Sequence, residues 1–328
     1  MNKQQGVALL IVLMILAIMA ALATKMTLQF QVSQQRQSWL LNQQQLRWLT
    51  FAAEEIALPR LRKELTENTY NNNLDQFAMQ EGVFNGRDGF SVSYIVADGQ
   101  NCFNLNSLRN NEPGKTQEDE PYNTQILKQL LLNAQATSVQ TERLTDTLSD
   151  YLDTDNDIRA AGAESDYYES LTPPRAAANQ RLFSLNELAL LPDLPLTALK
   201  QIRNQLCTLP EEFQQINVNT LTLEQTPLLS ALFLGGINED DATKLIAARP
   251  RRGWISVDAF LKEVKKQKLT LEVQSGELKP LLTVRSQYFV LYTQGKFEEQ
   301  QNTMSSYVQF NPKDSKIQIY QRRYRVIE

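Results

Sequence analysis

Residues 6–24 read Gly-Val-Ala-Leu-Leu-Ile-Val-Leu-Met-Ile-Leu-Ala-Ile-Met-Ala-Ala-Leu-Ala-Thr, and everything else in the chain hangs on how that run continues. Met1-Asn-Lys-Gln-Gln precedes it, with one cation at Lys3, and Lys25 follows it. No residue from Val7 to Thr24 is charged, and a helix over that stretch spans about 27 Å, close to a bilayer's hydrocarbon core. The cation on the polar flank, with no acid beside it, favours a cytoplasmic N-terminus. Nothing then breaks the helix early: after Val7 the first proline is Pro59 and the first glycine is Gly82. A helix to residue 58 would be about 78 Å long. Leu46, Leu49, Ala53 and Ile56 recur at three- and four-residue steps, an apolar stripe suited to packing on a globular head.

Three readings of the N-terminus compete. Ala21-Leu22-Ala23 is an acceptable small-x-small site for a cleaved secretory signal. A simple signal anchor is the second reading. The third is a prepilin leader cut after Gly6, leaving Val7 as the new terminus and the whole apolar helix in the mature protein. The apolar run begins directly after Gly6 and the helical pattern continues long past it, and both features favour the third. These residues resemble the leader and helix of type IV pilins and type II secretion pseudopilins. Ordinary members carry a glutamate as fifth mature residue; here that position is Ile11. The K-type minor pseudopilins are similar in lacking the acid. A carboxylate in lipid survives only with a partner charge. The resemblance implies that a neighbour's terminal amine supplies that charge in the fibre. A subunit at the tip has no subunit ahead of it, so Ile11 suits a tip position.

The 328 residues carry a net charge of −4, which gives no support to a nucleic-acid partner. The chain has no histidine, which removes histidine-based triads and most zinc sites. Two cysteines, Cys102 and Cys207, match no metal spacing. In an exported protein they read as a disulfide, in the cytosol as two buried thiols. With export favoured, a Cys102–Cys207 disulfide is expected.

The fold class reads as α+β: a pilin-like long N-terminal helix on a small antiparallel sheet. Phe90, Val92, Tyr94 and Val96 alternate as a strand with one buried face, and further strands are expected over 284–293, 304–310 and 316–326. Asn311-Pro312-Lys313-Asp314 marks a turn. Leucine-rich helical segments run through 123–152, 184–206, 221–233 and 238–249. The expected organisation is a leader (1–6), a transmembrane part (7–24), the helix remainder with a first strand (25–99), an all-α insertion (100–280) and C-terminal strands (281–328). A large inserted α-domain is what the K-type resemblance implies.

Within the insertion, Phe103-Asn-Leu-Asn-Ser-Leu108 recurs as Ile216-Asn-Val-Asn-Thr-Leu221. Ser184-Leu-Asn-Glu187 forms a capping box. Gly235-Gly236 and the helix after it resemble helix-hairpin-helix or SAM-like modules, some of which bind DNA. The acidic Asn238-Glu-Asp-Asp241 at the helix start favours a packing role, against Arg249, Arg251 and Arg252.

One segment carries metal chemistry. Asp153, Asp155 and Asp157 alternate, and Glu164 completes EF-hand spacing, but Ile158 stands where the sharp turn wants glycine. Asp150 and Asp166 add further oxygens to a candidate set of Asp150, Asp153, Asp155, Asp157, Glu164 and Asp166. Oxygen donors without histidine or cysteine suit Ca2+; an acidic surface loop is the plain alternative. The stretch from Asp150 to Asp155, with Gly162-Ala-Glu-Ser-Asp-Tyr-Tyr168, is similar to a K-type hallmark, and the resemblance implies structural calcium in the α-domain. It also implies a minor pseudopilin rather than an enzyme. On that reading the chain is cut by prepilin peptidase, methylated at Val7 and anchored in the inner membrane with its bulk in the periplasm. It caps the pseudopilus and nucleates it with other minor pseudopilins, and its α-domain faces secretin or exported cargo. The rivals are a periplasmic enzyme or binding protein with an ordinary signal, and a DNA-uptake pilus component.

Overall fold

The computed structural model describes residues 3–71, 81–86, 89–109, 120–267 and 275–324. In chain order its elements are α1 (Lys3–Glu67), β1 (Gly82–Asn85), β2 (Ser91–Asp98), β3 (Phe103–Asn104), α2 (Tyr122–Asn133) and α3 (Ser138–Leu152). They continue as α4 (Ser165–Glu169), α5 (Leu196–Ile202), β4 (Leu206–Cys207), β5 (Ile216–Asn217), α6 (Thr226–Leu232), α7 (Glu239–Ala247) and α8 (Val257–Lys266). The last are α9 (Ser275–Leu278), β6 (Leu282–Thr283), β7 (Tyr288–Phe297), β8 (Gln300–Asn311) and β9 (Lys316–Tyr324).

Helix α1 has 65 residues, so it is about 98 Å long and passes through Pro59 rather than stopping before it. A proline inside a helix costs about 3 kcal/mol, from a lost hydrogen bond and a clash. Burial on both sides of it offsets that cost: Ala57, Leu61 and Leu65 sit one turn apart and are all but fully enclosed. The buried stripe is Leu46, Thr50, Ala53, Glu54, Ala57, Leu61 and Leu65, and Ile56 lies off it with 38% of its surface exposed. The stripe expected from the sequence leaves the buried face at that point.

Five antiparallel strands in the order β1-β2-β7-β8-β9 receive α1. Alternation puts Val92, Tyr94 and Val96 of β2 and Phe289 and Leu291 of β7 on the helix side, with Val308 and Phe310 of β8. Gly295 lets the two layers close, since a Cβ there would lie 3.1 Å from the Leu46 carbonyl oxygen. Glu54 is the charged member of the interface: it accepts from Arg322 Nε at 3.0 Å and Nη2 at 2.8 Å, and from the Ser306 hydroxyl.

The sheet has a polarity along the helix. Ser91 pairs with Lys296, next to Gly295 and Leu46, whereas Asp98 pairs with Phe289 at the other end. At that other end Arg285 Nη2 donates to the Leu65 carbonyl at 2.6 Å. The chain therefore leaves β2 and re-enters β7 at the end of the head farthest from the apolar segment, and residues 99–287 are planted there.

That junction is polar and closed. Asp98 accepts from Gln100 N at 2.6 Å and from the hydroxyls of Thr220 and Ser286. Asn217 Nδ2 donates to Ser286 Oγ at 2.8 Å and to Asn71 Oδ1, which also accepts from Ser286 N at 3.0 Å. Gln100 spans the same seam, donating to the Gln215 carbonyl at 3.1 Å and accepting from Tyr288 N at 3.1 Å.

The insertion is mostly helical but not all-α, which corrects the expectation. Each copy of the Asn-x-Asn repeat opens with a short parallel bridge, β3 with β4 and β5 with β6. The asparagines act alike in both: Asn106 holds Leu182 and Leu209, while Asn219 holds the backbone of Trp254 through N–H and carbonyl. The Cys102–Cys207 disulfide forms beside β3 and β4, with Cα atoms 5.8 Å apart. The helix expected over 184–206 breaks into a 3-10 turn, Leu185–Leu190, and α5. Pro192 and Pro195 explain the break, since neither can donate to a helical ladder. The Ser184 capping box is present, with Ser184 N donating to Glu187 Oε1 at 2.8 Å.

Two outcomes follow. Exchanging both cysteines for serine opens a cross-link with a sequence separation of 105 and lowers unfolding free energy by about 2–5 kcal/mol in urea titrations. Burial raises the Asp98 pKa above 3.8, against the hydrogen bonds from Ser286, Thr220, Gln100 and Asn217. An acid raised in the fold keeps its proton where the unfolded chain has lost it, so stability falls as pH rises above the unfolded value. The melting temperature of Asp98→Asn relative to the parent should therefore rise as the pH climbs above the ordinary aspartate range of about 4. Thermal melts of both chains across that rise in pH check it.

Candidate metal centre

Helix α3 starts at a capping box, Thr137 with Gln140, and buries Leu144, Leu148, Tyr151 and Leu152. Its end carries Asp150 in the last turn and Asp153 as the cap, both buried. Carboxylates at a helix C-terminus face the negative end of the helix dipole and call for a cation. The following loop folds back on α3: Ala161 N donates to Asp146 Oδ2 at 3.0 Å, and Arg143 Nη1 donates to the carbonyls of Ala161 and Gly162 at 2.8 and 3.1 Å. Only glycine fits at 162, because a Cβ would lie 1.7 Å from Asp150 Oδ2. The fold-back brings Glu164, the cap residue of α4, against Asp150 and Asp153. One carboxylate oxygen from each of the three lies within 4.8 Å of the others.

Arg159 Nη1 donates to Asp150 Oδ1 and Asp153 Oδ2, at 2.6 Å each. Asp153 Oδ1 and both oxygens of Glu164 are buried without a hydrogen-bond partner. Burial, followed by the charges of Asp150, Asp153 and Asp155, pushes the Glu164 pKa up to about 7. Orphaned acceptor oxygens facing one another in a buried group are what a hard cation satisfies.

Of the six expected residues, Asp150, Asp153 and Glu164 are brought together, while Asp155, Asp157 and Asp166 stay on the surface. With exposed Ile158 in place of the turn glycine, the alternating acids do not converge; Asp155 Oδ1 instead accepts from Asp157 N at 2.9 Å in a local turn. Asn179 lies outside the set expected from the sequence: it donates to the Asp155 carbonyl at 3.2 Å while its own Oδ1 is buried and unpartnered. Arg159 lies outside that set too; its signal is one cation inside an acidic stretch.

Elsewhere, Ile11 is about half exposed on α1, and Gly6 and Val7 fall within that helix, although their side chains lie outside the described residues. Arg249 is spent on structure, donating to the carbonyls of Asn219 and Leu221 at 2.8 and 2.7 Å. The N-terminal segment of α1 is long and apolar enough to cross a membrane, and none of it is buried.

Family models described as "Type II secretion system (T2SS), protein K" match residues 101–211 and 216–285. The first begins just before one Asn-x-Asn copy and the second at the other. The chain is 37% identical over 322 residues to a putative type II secretion system protein K of Escherichia coli K12, covering 98% of each. It is 33% identical to type II secretion system protein K of Klebsiella pneumoniae, over 88% of this chain and 87% of that one. Among solved structures it is similar to a chain of the GspK-GspI-GspJ complex from enterotoxigenic Escherichia coli. There the TM-score is 0.77 and the identity 27%, over 88% of this chain and 99% of that one. The chain thus belongs to the type II secretion system protein K family and is a minor pseudopilin.

Proposed function

We propose that the chain caps the tip of the pseudopilus and nucleates it together with other minor pseudopilins. The observation that carries this reading is where the insertion is planted. Residues 99–287 leave and rejoin the sheet at the end farthest from the apolar segment. A body of that size beyond the helix's C-terminal end needs open space above the head, which a fibre end provides and a shaft does not. The relative crystallised with GspI and GspJ supports partners of that class for this chain. Helix α1 offers the contact surface: Met26, Leu28, Phe30, Val32, Trp39, Leu40 and Leu41 are exposed between the membrane segment and the first residue buried by the sheet, Leu46. Spread round the helix rather than along one stripe, these exposed apolar side chains offer contacts to neighbours on more than one side. The apolar Ile11 removes the need for a partner charge ahead of it in the fibre.

On this reading a prepilin peptidase removes residues 1–6, Val7 is methylated, the helix anchors in the inner membrane and the head lies in the periplasm. The insertion then faces secretin or cargo. Terminal sequencing of the mature chain tests the processing: a start at Val7 is expected, and a start at Thr24 would replace the pilin-type anchor with an ordinary signal. Co-purification with minor pseudopilins of the I and J types tests the assembly.

The same reading includes structural Ca2+ at Asp150, Asp153 and Glu164, where oxygen-only donors and orphaned acceptors fit a hard cation. The ion would supply partners for the Asp153 and Glu164 oxygens that have none. Chelation should lower the melting temperature of the parent; at calcium about 100-fold above Kd the difference is about 2.7 kcal/mol. Asp153→Asn and Glu164→Gln should abolish that chelator response, which differential scanning fluorimetry reads directly.

A further inference from the structure

Arg159 is bonded to two of the three carboxylates in the group, Asp150 and Asp153. Its side chain is 12% exposed, and a single nitrogen, Nη1, reaches Asp150 Oδ1 and Asp153 Oδ2 at 2.6 Å each. Asp150 is held on its other oxygen as well, by Arg159 N at 3.3 Å. Within the group, only Asp153 Oδ1 and the two Glu164 oxygens have no partner. A calcium ion bonds oxygen at about 2.4 Å. A nitrogen already 2.6 Å from two of the three carboxylates competes for the oxygens that an ion shared by all three needs.

We infer that Arg159 is a built-in substitute cation, which occupies the site when no metal is bound and must leave Asp150 and Asp153 for a divalent ion to enter. This rests on the calcium reading given above. The exchange keeps the end of α3 compensated in both states, because one positive group always faces the carboxylates. It also sets the affinity: the ion competes with a tethered guanidinium whose local concentration never falls. A tethered competitor raises the calcium concentration needed to fill the site, so the loop responds to abundant cation and ignores traces.

The test is calcium titration of the detergent-solubilised full chain by calorimetry, using the parent, Arg159→Gln and Arg159→Lys. Arg159→Gln should bind calcium about tenfold tighter or more, since removing one charge a few ångströms from the ion is worth at least that. Arg159→Lys, which keeps the charge, should stay near the parent. In parallel, phenylglyoxal labelling mapped by mass spectrometry should find Arg159 protected in chelator and reactive in saturating calcium. If Arg159→Gln folds only with calcium, its affinity is read by chelator competition from the loaded form, with the same expectation. Unchanged or weaker binding by Arg159→Gln overturns the inference and makes the arginine a positioning clamp. So does an Arg159→Gln chain that fails to fold even in calcium, or an Arg159 that stays protected in the loaded protein. If neither the parent nor Arg159→Gln binds calcium at millimolar concentration, the calcium reading falls together with this inference; if the parent binds and Arg159→Gln is no tighter, only the inference falls.

Discussion

The buried carboxylate of Asp98 is the constraint from which the rest of the head follows. It lies at the point where the sheet hands the chain to the insertion, and its acceptors are claimed from three directions: by Gln100 next to it, by Thr220 deep in the insertion and by Ser286 on the return. Asn217 and Asn71 extend the same network to the end of the long helix. A buried polar group left unpaired costs roughly 1–3 kcal/mol. The helix terminus, the sheet and the insertion must therefore meet in one arrangement or strand several such groups together. Apolar packing holds the helix on the sheet; this network decides how the insertion is seated on both.

The second seam uses a different device. Three of the four repeat asparagines bond backbone groups of a distant segment, Asn104 and Asn106 on residues around 182 and 209–213 and Asn219 on Trp254, while Asn217 serves the side chains of Ser286 and Asn71. Side chains that bond backbone substitute for a sheet partner where only two residues of strand exist. The disulfide locks the first copy, while Arg249 closes the second by donating to the carbonyls of Asn219 and Leu221.

The long helix is legible because hydropathy and helical period point the same way over dozens of residues. Its end is not, because Pro59 is a strong local signal that burial of Ala57, Leu61 and Leu65 overrides. Strand β1 is hidden: four residues with Gly82 inside and Gly86 after carry too little alternation to register. The break at Pro192 and Pro195 is visible in the sequence but is outweighed there by leucine content. At the metal centre, the acidic residues announce themselves but not their direction. Asp150, Asp153 and Glu164 converge because α3 and the Gly162 fold-back aim them inward, whereas Asp155 and Asp157 sit on the open side. Arg159 reaches back to residues six and nine positions earlier, a span that matches no repeat.

The pairing of β2 with β7 also governs when the head can form. Asp98 meets Phe289, and the three strands that complete the sheet all come from the last part of the chain. Contacts between segments so remote close late, because the intervening loop must lose its freedom before any pairing repays it. The insertion holds its own apolar core, to which neither of those two strands contributes a buried residue. Sequence separation alone therefore favours an order inverted relative to the chain, with the middle compact before the sheet closes. The long helix, made earliest, waits longest for the surface that covers it.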